Sequence, residues 1–383
     1  MSEPQFTPAE VFPPGEFVRE ELEARGWSQS DLAKILGRPP RLISELIGGK
    51  RAVTPETARG LAQAFGTSAE VWLNLESSYQ LSKVKNGHDD VARRARLYGT
   101  VPLNDLVRRG WIQQTESTVE LEREVCEFLE VRSIDERPRF LAAARKADPQ
   151  EAWSPAQVSW IARVRQIGRG LEVPSYSKAK LEVALKAIRG LLARQEAVRE
   201  VPRVLEEAGI RFVVVEPLPG TKIDGACLWV DGKHPVIGLS LRFDRIDYFW
   251  FTLLHELGHV KHEDGRHDGA IMDSELVGVG ARASSEKPRV EQRADRFATE
   301  FLLDQGKLNL FVAESASSYS TAAILEHAIK QRVHAGIVVG QLQHREHVPY
   351  SHFRGFLMRV RDLLTPVART DGWGVLYTRR PSS

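Results

Sequence analysis

Between Gly15 and Leu81 apolar residues recur at three- and four-residue intervals, and short polar breaks punctuate them regularly. That is the spacing of amphipathic helices. Phe17, Leu22 and Trp27 mark a first helix and its exit. Ser28 can N-cap a second, running to Leu36, with Asp31 three residues on as the partner acid and Gly37 at its end. Arg38-Pro39-Pro40 cannot continue a helix but can open one, whose buried side is Leu42, Ile43 and Leu46 before Gly48-Gly49. Thr54-Pro55-Glu56-Thr57 starts a fourth helix through Leu61 and Phe65 to Gly66. Ser68 starts a fifth, with Val71, Trp72 and Leu75 on its apolar side.

From 82 to about 200 the chain reads as helical and charged. Periodicity is clear in Val119–Leu129 and Ala179–Ala193, and Asn86–Asp90 and Lys146–Ser154 read as loops. After Ala208-Gly209 the pattern changes to short β-branched and aromatic runs, Ile210–Glu216, Ala226–Val230 and Pro235–Leu241, the last two joined by the hairpin sequence Asp231-Gly232-Lys233-His234. A small sheet is expected there. Asp244 can then N-cap a helix, with Asp247 in its first turn, in which Tyr248, Phe249, Trp250, Phe251, Leu253 and Leu254 leave almost no polar side. Such a helix is buried on most of its circumference.

At 383 residues the chain exceeds one ordinary core. The fold class expected is α+β, divided as a helical N-terminal domain (1–81), a helical connector and scaffold (82–200), a domain with a small sheet (201–310) and a helical extension (311–383). No apolar run is long enough to span a bilayer and the first residues lack a secretory pattern, so a cytoplasmic location is expected. Cys126 and Cys227 stand in unrelated contexts and read as reduced apolar fillers.

The net charge of +2 decides little, but its distribution does. Residues 1–80 hold eight Lys/Arg against eleven Asp/Glu. Yet Lys34, Arg38, Arg41, Lys50 and Arg51 fall within eighteen residues containing one acid, Glu45. A basic face on an acidic module suits phosphates. Between 81 and 200 the 22 cations and 17 anions read as a solvated helical surface.

Five short helices with a tight glycine turn between the second and third can lay the third in a major groove, although periodicity also fits a small bundle for protein contacts. The stretch WSQSDLAKILGRPPRLISELIGGKRAVTPETARGLAQAFGTSAEVWLNLESSY resembles the XRE-type helix-turn-helix proteins, especially HigA-like antitoxins. The resemblance implies Gln29 near a phosphate, Arg38, Arg41 and Ser44 facing the groove, and Lys50 and Arg51 on the backbone. It also implies a homodimer on a double-stranded operator.

Into the buried helix the chain places His255 and His259, one turn apart on one face, so that both imidazoles can reach one ion. Zn²⁺ takes two such ligands with a third from the protein and a water, and Glu256 stands next to the first histidine to take a proton from that water. The metzincin continuation is excluded, because His262 and Gly265 reverse its order of glycine and histidine. A gluzincin needs a glutamate on a second helix. The run Val290–Leu303 supplies Glu291 as third ligand, with Asp295 one turn on to accept the N–H of a ligand histidine. Glu300 reads as solvated.

PVIGLSLRFDRIDYFWFTLLHELGHVKH followed by EQRADRFATEFLL resembles the ImmA/IrrE family of zinc metallo-endopeptidases, and VHAGIVVGQLQH its C-terminal part. The resemblance implies a gluzincin-like site and cleavage of a protein such as a transcriptional repressor. It also makes His334 a candidate oxyanion donor; His262 and His267 read as solvent-facing. The departures are a long polar loop, Glu263–Pro288, and Asp295 where asparagine is common. The expected function is a DNA-binding regulator carrying a zinc endopeptidase that cuts a repressor or antitoxin-type partner. The alternative is an antitoxin-like repressor, with or without a toxin partner, whose zinc domain senses or binds and cuts little.

Overall fold

The computed structural model describes residues 11–83, 88–141, 145–146, 153–266, 269–278, 287–315 and 319–371. The chain divides into two compact units, Met1–Ala92 and Arg93–Ser383.

The first unit holds α1 (Pro14–Arg25), α2 (Gln29–Leu36), α3 (Pro40–Ile47), α4 (Pro55–Phe65) and α5 (Ala69–Lys83). Ser28 and Asp31 form the expected capping box: the Asp31 N–H donates to Ser28 Oγ at 3.2 Å and the Ser28 N–H to Asp31 Oδ2 at 2.9 Å. Gly37 ends α2 in the left-handed region at φ 62°, which lets the chain turn sharply into α3. Val18, Leu22, Leu32, Ile43, Leu46, Leu61, Phe65 and Trp72 form the core. The helices press closely; a Cβ on Gly15 would lie 2.4 Å from Leu46 O, so only glycine lets α1 reach the end of α3.

The second unit is built on a six-stranded sheet in the order β1-β5-β3-β4-β2-β6, with β1 Arg145–Lys146, β2 Arg211–Val214, β3 Ile223–Val230, β4 His234–Leu239, β5 Ile271–Ser274 and β6 Arg369–Thr370. The β3–β4 hairpin turns through Asp231 and Gly232, both at positive φ, as primed turns require. Strand residues alternate between two cores. Val213, Val215, Ala226, Leu228, Val236 and Met272 face α6 (His88–Thr100), α7 (Leu103–Arg108), α8 (Thr118–Leu129) and α9 (Pro155–Arg169). Phe212, Val214, Cys227, Trp229, Ile237 and Leu239 face the other side.

That other side carries α10 (Lys178–Leu191), α11 (Val201–Glu207), α12 (Ile246–His262), α13 (Arg289–Leu302), α14 (Gln305–Glu314), α15 (Thr321–Gln331), α16 (Ala335–His344) and α17 (Arg361–Leu364). The stretch expected as a connector does not stand apart from the sheet domain, because α9 packs on β2, β3 and β4 and α10 lies in the opposite core. Asp90, expected in a loop, lies in α6, and residues 84–87 and 147–152 are outside the described residues. Cys126 is half-buried and Cys227 buried, and both are free. Among the described residues no helix is long and apolar enough to cross a membrane.

Candidate metal centre and nucleic-acid interface

Helix α12 is largely enclosed, buried against β3 and β4 on one side and α13 and α16 on others. Its start differs from expectation. Arg245 holds the N-cap position without a side-chain cap, while Asp244, at φ 49°, turns its carboxylate to the Val360 and Arg361 N–H groups at 3.0 and 2.7 Å. Asp244 therefore ties the C-terminal segment to the helix rather than capping it. Asp247 is buried and held by Arg245 at 2.8 Å.

His255, Glu256 and His259 have no exposed surface. The crossing of α13 over α12 is close because a Cβ on Gly258 would already meet Ala294 Cα at 3.2 Å. This crossing brings Glu291 Oε2 to 3.1 Å from His255 Nε2 and 3.5 Å from His259 Nε2. The two Nε2 atoms are themselves 3.1 Å apart. The other ring nitrogens have carboxylates of their own. Asp295 Oδ1 lies 2.9 Å from His255 Nδ1, in ionic contact though off the hydrogen-bond axis, and is held from behind by Lys287 at 2.8 Å. Asp264 Oδ2 lies 3.2 Å from His259 Nδ1 and also pairs with Arg293.

The Asp264 contact follows from how the helix ends. Glu263 adopts φ 57°, and the Asp264 N–H returns to His259 O at 2.9 Å, a Schellman-type closure that folds the aspartate back onto the ring. Neither Asp264 nor a fourth carboxylate, Asp273, was expected from the sequence. Asp273 lies inside what reads as polar loop, but β5 pairs antiparallel with β3 and puts Asp273 Oδ2 3.4 and 3.6 Å from the two Nε2 atoms. The faint sequence sign was the apolar Ala270-Ile271-Met272 just before it. Donor atoms of His255, His259, Asp273 and Glu291 all lie within 4.8 Å of one another, and all four residues are buried.

Burial alone would push both histidines toward the neutral form, yet the carboxylates facing them hold their pKa values well above the usual range. For the same reason Asp273, which burial would raise, is held well below its own. Burial and the nearby Asp273 charge drive the Glu256 carboxyl far upward, and neither of its oxygens has a partner. A Cβ on Gly225 of β3 would stand 2.3 Å from Glu256 Oε1, so the bare strand backbone is what gives the carboxylate room. Two imidazoles and two carboxylates converging on one point are the N/O donor set that suits a divalent cation such as zinc.

His334 is not part of this cluster. Its Nδ1 accepts the Gly336 N–H at 3.0 Å as the N-cap of α16, and its own N–H donates to Leu192 O at 2.7 Å. Gly336 packs on Ile246, the first residue of α12, nine residues and so roughly 13 Å of helix from His255. In this structure the role the hydrogen bonds give His334 is that of a helix cap. His262 and Glu300 are exposed, and His267 lies outside the described residues. Beside Phe251, one turn before His255, runs a cleft of about 410 Å³, open mouth included, that Tyr248, Val277, Leu302, Ile337 and Tyr350 help to line.

In the first unit Gln29, Arg38, Arg41, Ser44, Lys50 and Arg51 are all exposed. Their charges are partly engaged: Glu45 pairs with Arg41 at 2.7 Å and Arg51 at 3.2 Å, and Glu56 pairs with Arg38. Ser44 shares α3 with Arg41, and Gln29 opens α2.

The helix-turn-helix family pattern matches residues 18–72, and that of the IrrE N-terminal-like domain, a peptidase family, matches residues 205–345. Virulence-associated protein I of Dichelobacter nodosus is 37% identical over 79 residues, 20% of this chain and 73% of that protein. The uncharacterized HTH-type transcriptional regulator YddM of Escherichia coli K12 is 34% identical over 84 residues, 22% of this chain and 88% of that one. Among solved structures, an addiction module antidote protein of a HigA family from Coxiella burnetii shares 38% identity, covering 19% of this chain and 79% of its own, with a TM-score of 0.18.

Proposed function

The chain belongs to the helix-turn-helix family of DNA-binding regulators and carries an IrrE N-terminal-like peptidase domain in the same polypeptide, and from that premise we propose that it is a regulator whose second unit is a zinc endopeptidase acting on a protein substrate. The observation that carries this reading is the meeting of His255, His259 and Glu291 around one point, with the Glu256 carboxylate buried and without a partner beside them. Zinc, when bound, supplies Lewis acidity to a water and to the scissile carbonyl.

The chain's own residues do the rest. His255 and His259 would offer Nε2 to the metal: Asp264 accepts from the Nδ1 side of His259 and fixes its tautomer, while the Asp295 carboxylate attracts positive charge to the Nδ1 side of His255. Glu291 would add a third ligand from a second helix. Glu256 as its carboxylate would take a proton from the attacking water, a transfer that its burial favours, and would then pass that proton to the leaving amine. The cleft beside Phe251 would receive an apolar substrate side chain. In the first unit Arg38, Arg41 and Ser44 would read bases while Gln29, Lys50 and Arg51 hold phosphates, on operator DNA bound by a homodimer. A repressor or antitoxin-type protein is the substrate this pairing of units favours.

The test is to express wild type and Glu256→Gln beside proteins encoded next to this chain and compare fragments. Cleavage by wild type and its loss in the variant, with zinc retained, is the expected result. Equal cleavage by both would remove Glu256 from the mechanism and sink the reading.

A further inference from the structure

The metal centre has one donor more than a zinc peptidase uses. A catalytic zinc takes three protein ligands and keeps its fourth position for water, whereas four protein ligands make a closed site. Asp273 Oδ2 stands at 3.4 Å from His255 Nε2 and 3.6 Å from His259 Nε2, close to the 3.1 and 3.5 Å of Glu291 Oε2.

Its position is built. Asp273 pairs across strands with Gly225, so both face α12, and Gly225 is where a Cβ would strike Glu256. The register shifts between Ile223 and Gly225, a bulge of the kind that re-aims a side chain. Asp224, at the bulge, anchors the segment after β5: its Oδ2 accepts the Leu276 N–H at 2.7 Å while Arg242 grips the same carboxylate at 2.9 and 3.1 Å. Lys222 pairs with Glu275 at 2.5 Å, and the Glu275 N–H donates to Lys222 O at 3.1 Å. On its other edge β5 has only the two-residue β1, paired at Ile271 and Met272, which leaves the Asp273 side of that edge unpaired within the described ladder.

We propose that Asp273 is a fourth protein ligand that closes the metal centre. The fold as it stands is then latent, and withdrawal of Asp273 from the centre opens the position that water needs. The proposal rests on the zinc reading of the site, and its test separates the two.

The full chain is loaded with Co²⁺, whose visible absorption reports coordination, and titrated with azide as a small anionic ligand for an open position. Asp273→Asn keeps the shape and the strand while removing the charge, and Asp273→Ala removes the donor; circular dichroism checks that each variant is folded. Wild type should show a spectrum indifferent to azide. Asp273→Ala should show a saturable spectral change, bind Co²⁺ at least about tenfold more weakly, since even loss of an orienting partner costs that much, and cleave a generic peptide pool faster than wild type. Asp273→Asn should fall between. If wild type responds to azide as the variants do, the position is already open and Asp273 is not a ligand, while the zinc reading stands. If wild type takes up no Co²⁺ at this site, the zinc reading falls and this proposal with it.

Discussion

Among the described glycines, Gly225 of β3 leaves the least room for an added Cβ, against the carboxylate of Glu256, and Gly225→Ala tests that fit. The added Cβ would come 2.3 Å from Glu256 Oε1, 3.0 Å from its Cδ and 3.0 Å from Thr252 Cγ2. Ordinary contact begins near about 3.5 Å, so the carboxylate must give way by roughly 1 Å. A side chain end on a surface would swing aside at little cost, but Glu256 has no exposed surface and can move only toward the histidines or by lifting α12 off the sheet. Overpacking of this kind costs ~1–3 kcal/mol, which for a unit of this size is a fall of roughly 2–10 °C in its unfolding transition. The decisive comparison is the same change made in Glu256→Ala, where the methyl group can occupy the vacated space. Coupling of about 1 kcal/mol or more between the two sites is expected, with a residue left by Thr252. In the Glu256-containing protein, a displacement of roughly 1 Å should also lower cleavage by about a hundredfold, with zinc content unchanged. Equal thermal penalties in the two backgrounds would falsify the packing argument.

Asp295→Ala, which removes the carboxylate facing His255 Nδ1, should weaken zinc binding about 10- to 100-fold in competition with a chelator; unchanged affinity would mean that the contact orients nothing. Metal-free protein should lose stability as pH rises above about 6.5. The folded-state pKa values of His255 and His259 are raised, so their contribution is full below the unfolded value of about 6.5 and is lost on the way up through the folded ones. Melting curves of the chelated protein that climb across this range would contradict that sign. In the first unit Lys50→Ala should lower the slope of log affinity against log salt by about 0.9 on any duplex. A change confined to one operator sequence would instead make Lys50 a reader of bases.

What the chain revealed in advance was what it encodes locally. Helix α12 was legible because its apolar run and its histidine spacing lie in one short segment, and α13 because Glu291 and Asp295 sit one turn apart on an amphipathic helix. The five N-terminal helices were legible through their caps, of which Ser28 and Gly37 are the plainest. Asp273 was not legible, because its place depends on a four-residue strand whose partner lies some fifty residues earlier and whose register is set by a bulge. Nor was Asp264, which reaches His259 only through a left-handed turn at Glu263 that no glycine announces. His334 is a different case. Its segment has a familiar pattern, and its Nδ1 caps α16 where that helix meets the start of α12.

The convergence of so much charge on a buried, largely apolar helix argues for a cation by itself. Glu256, Asp264, Asp273, Glu291 and Asp295 bring five carboxylates to the two imidazoles, while Lys287 and Arg293 are the cations paired with them. With neutral histidines that leaves three negative charges in and around a centre whose principal donors are fully enclosed, and uncompensated buried charge costs several kcal/mol per ion. Two remedies follow from the chemistry of the residues. Protons on both histidines and on Glu256 cancel the excess, which is the metal-free state that the pKa directions describe. Alternatively a divalent cation replaces the two histidine protons and Glu256 alone keeps one. In that second state the proton on Glu256 is the one its carboxylate has taken from water and can pass to the leaving amine. Burial of α12 thus supports the fold and, through the same enclosure, favours transfer of a proton to the Glu256 carboxylate.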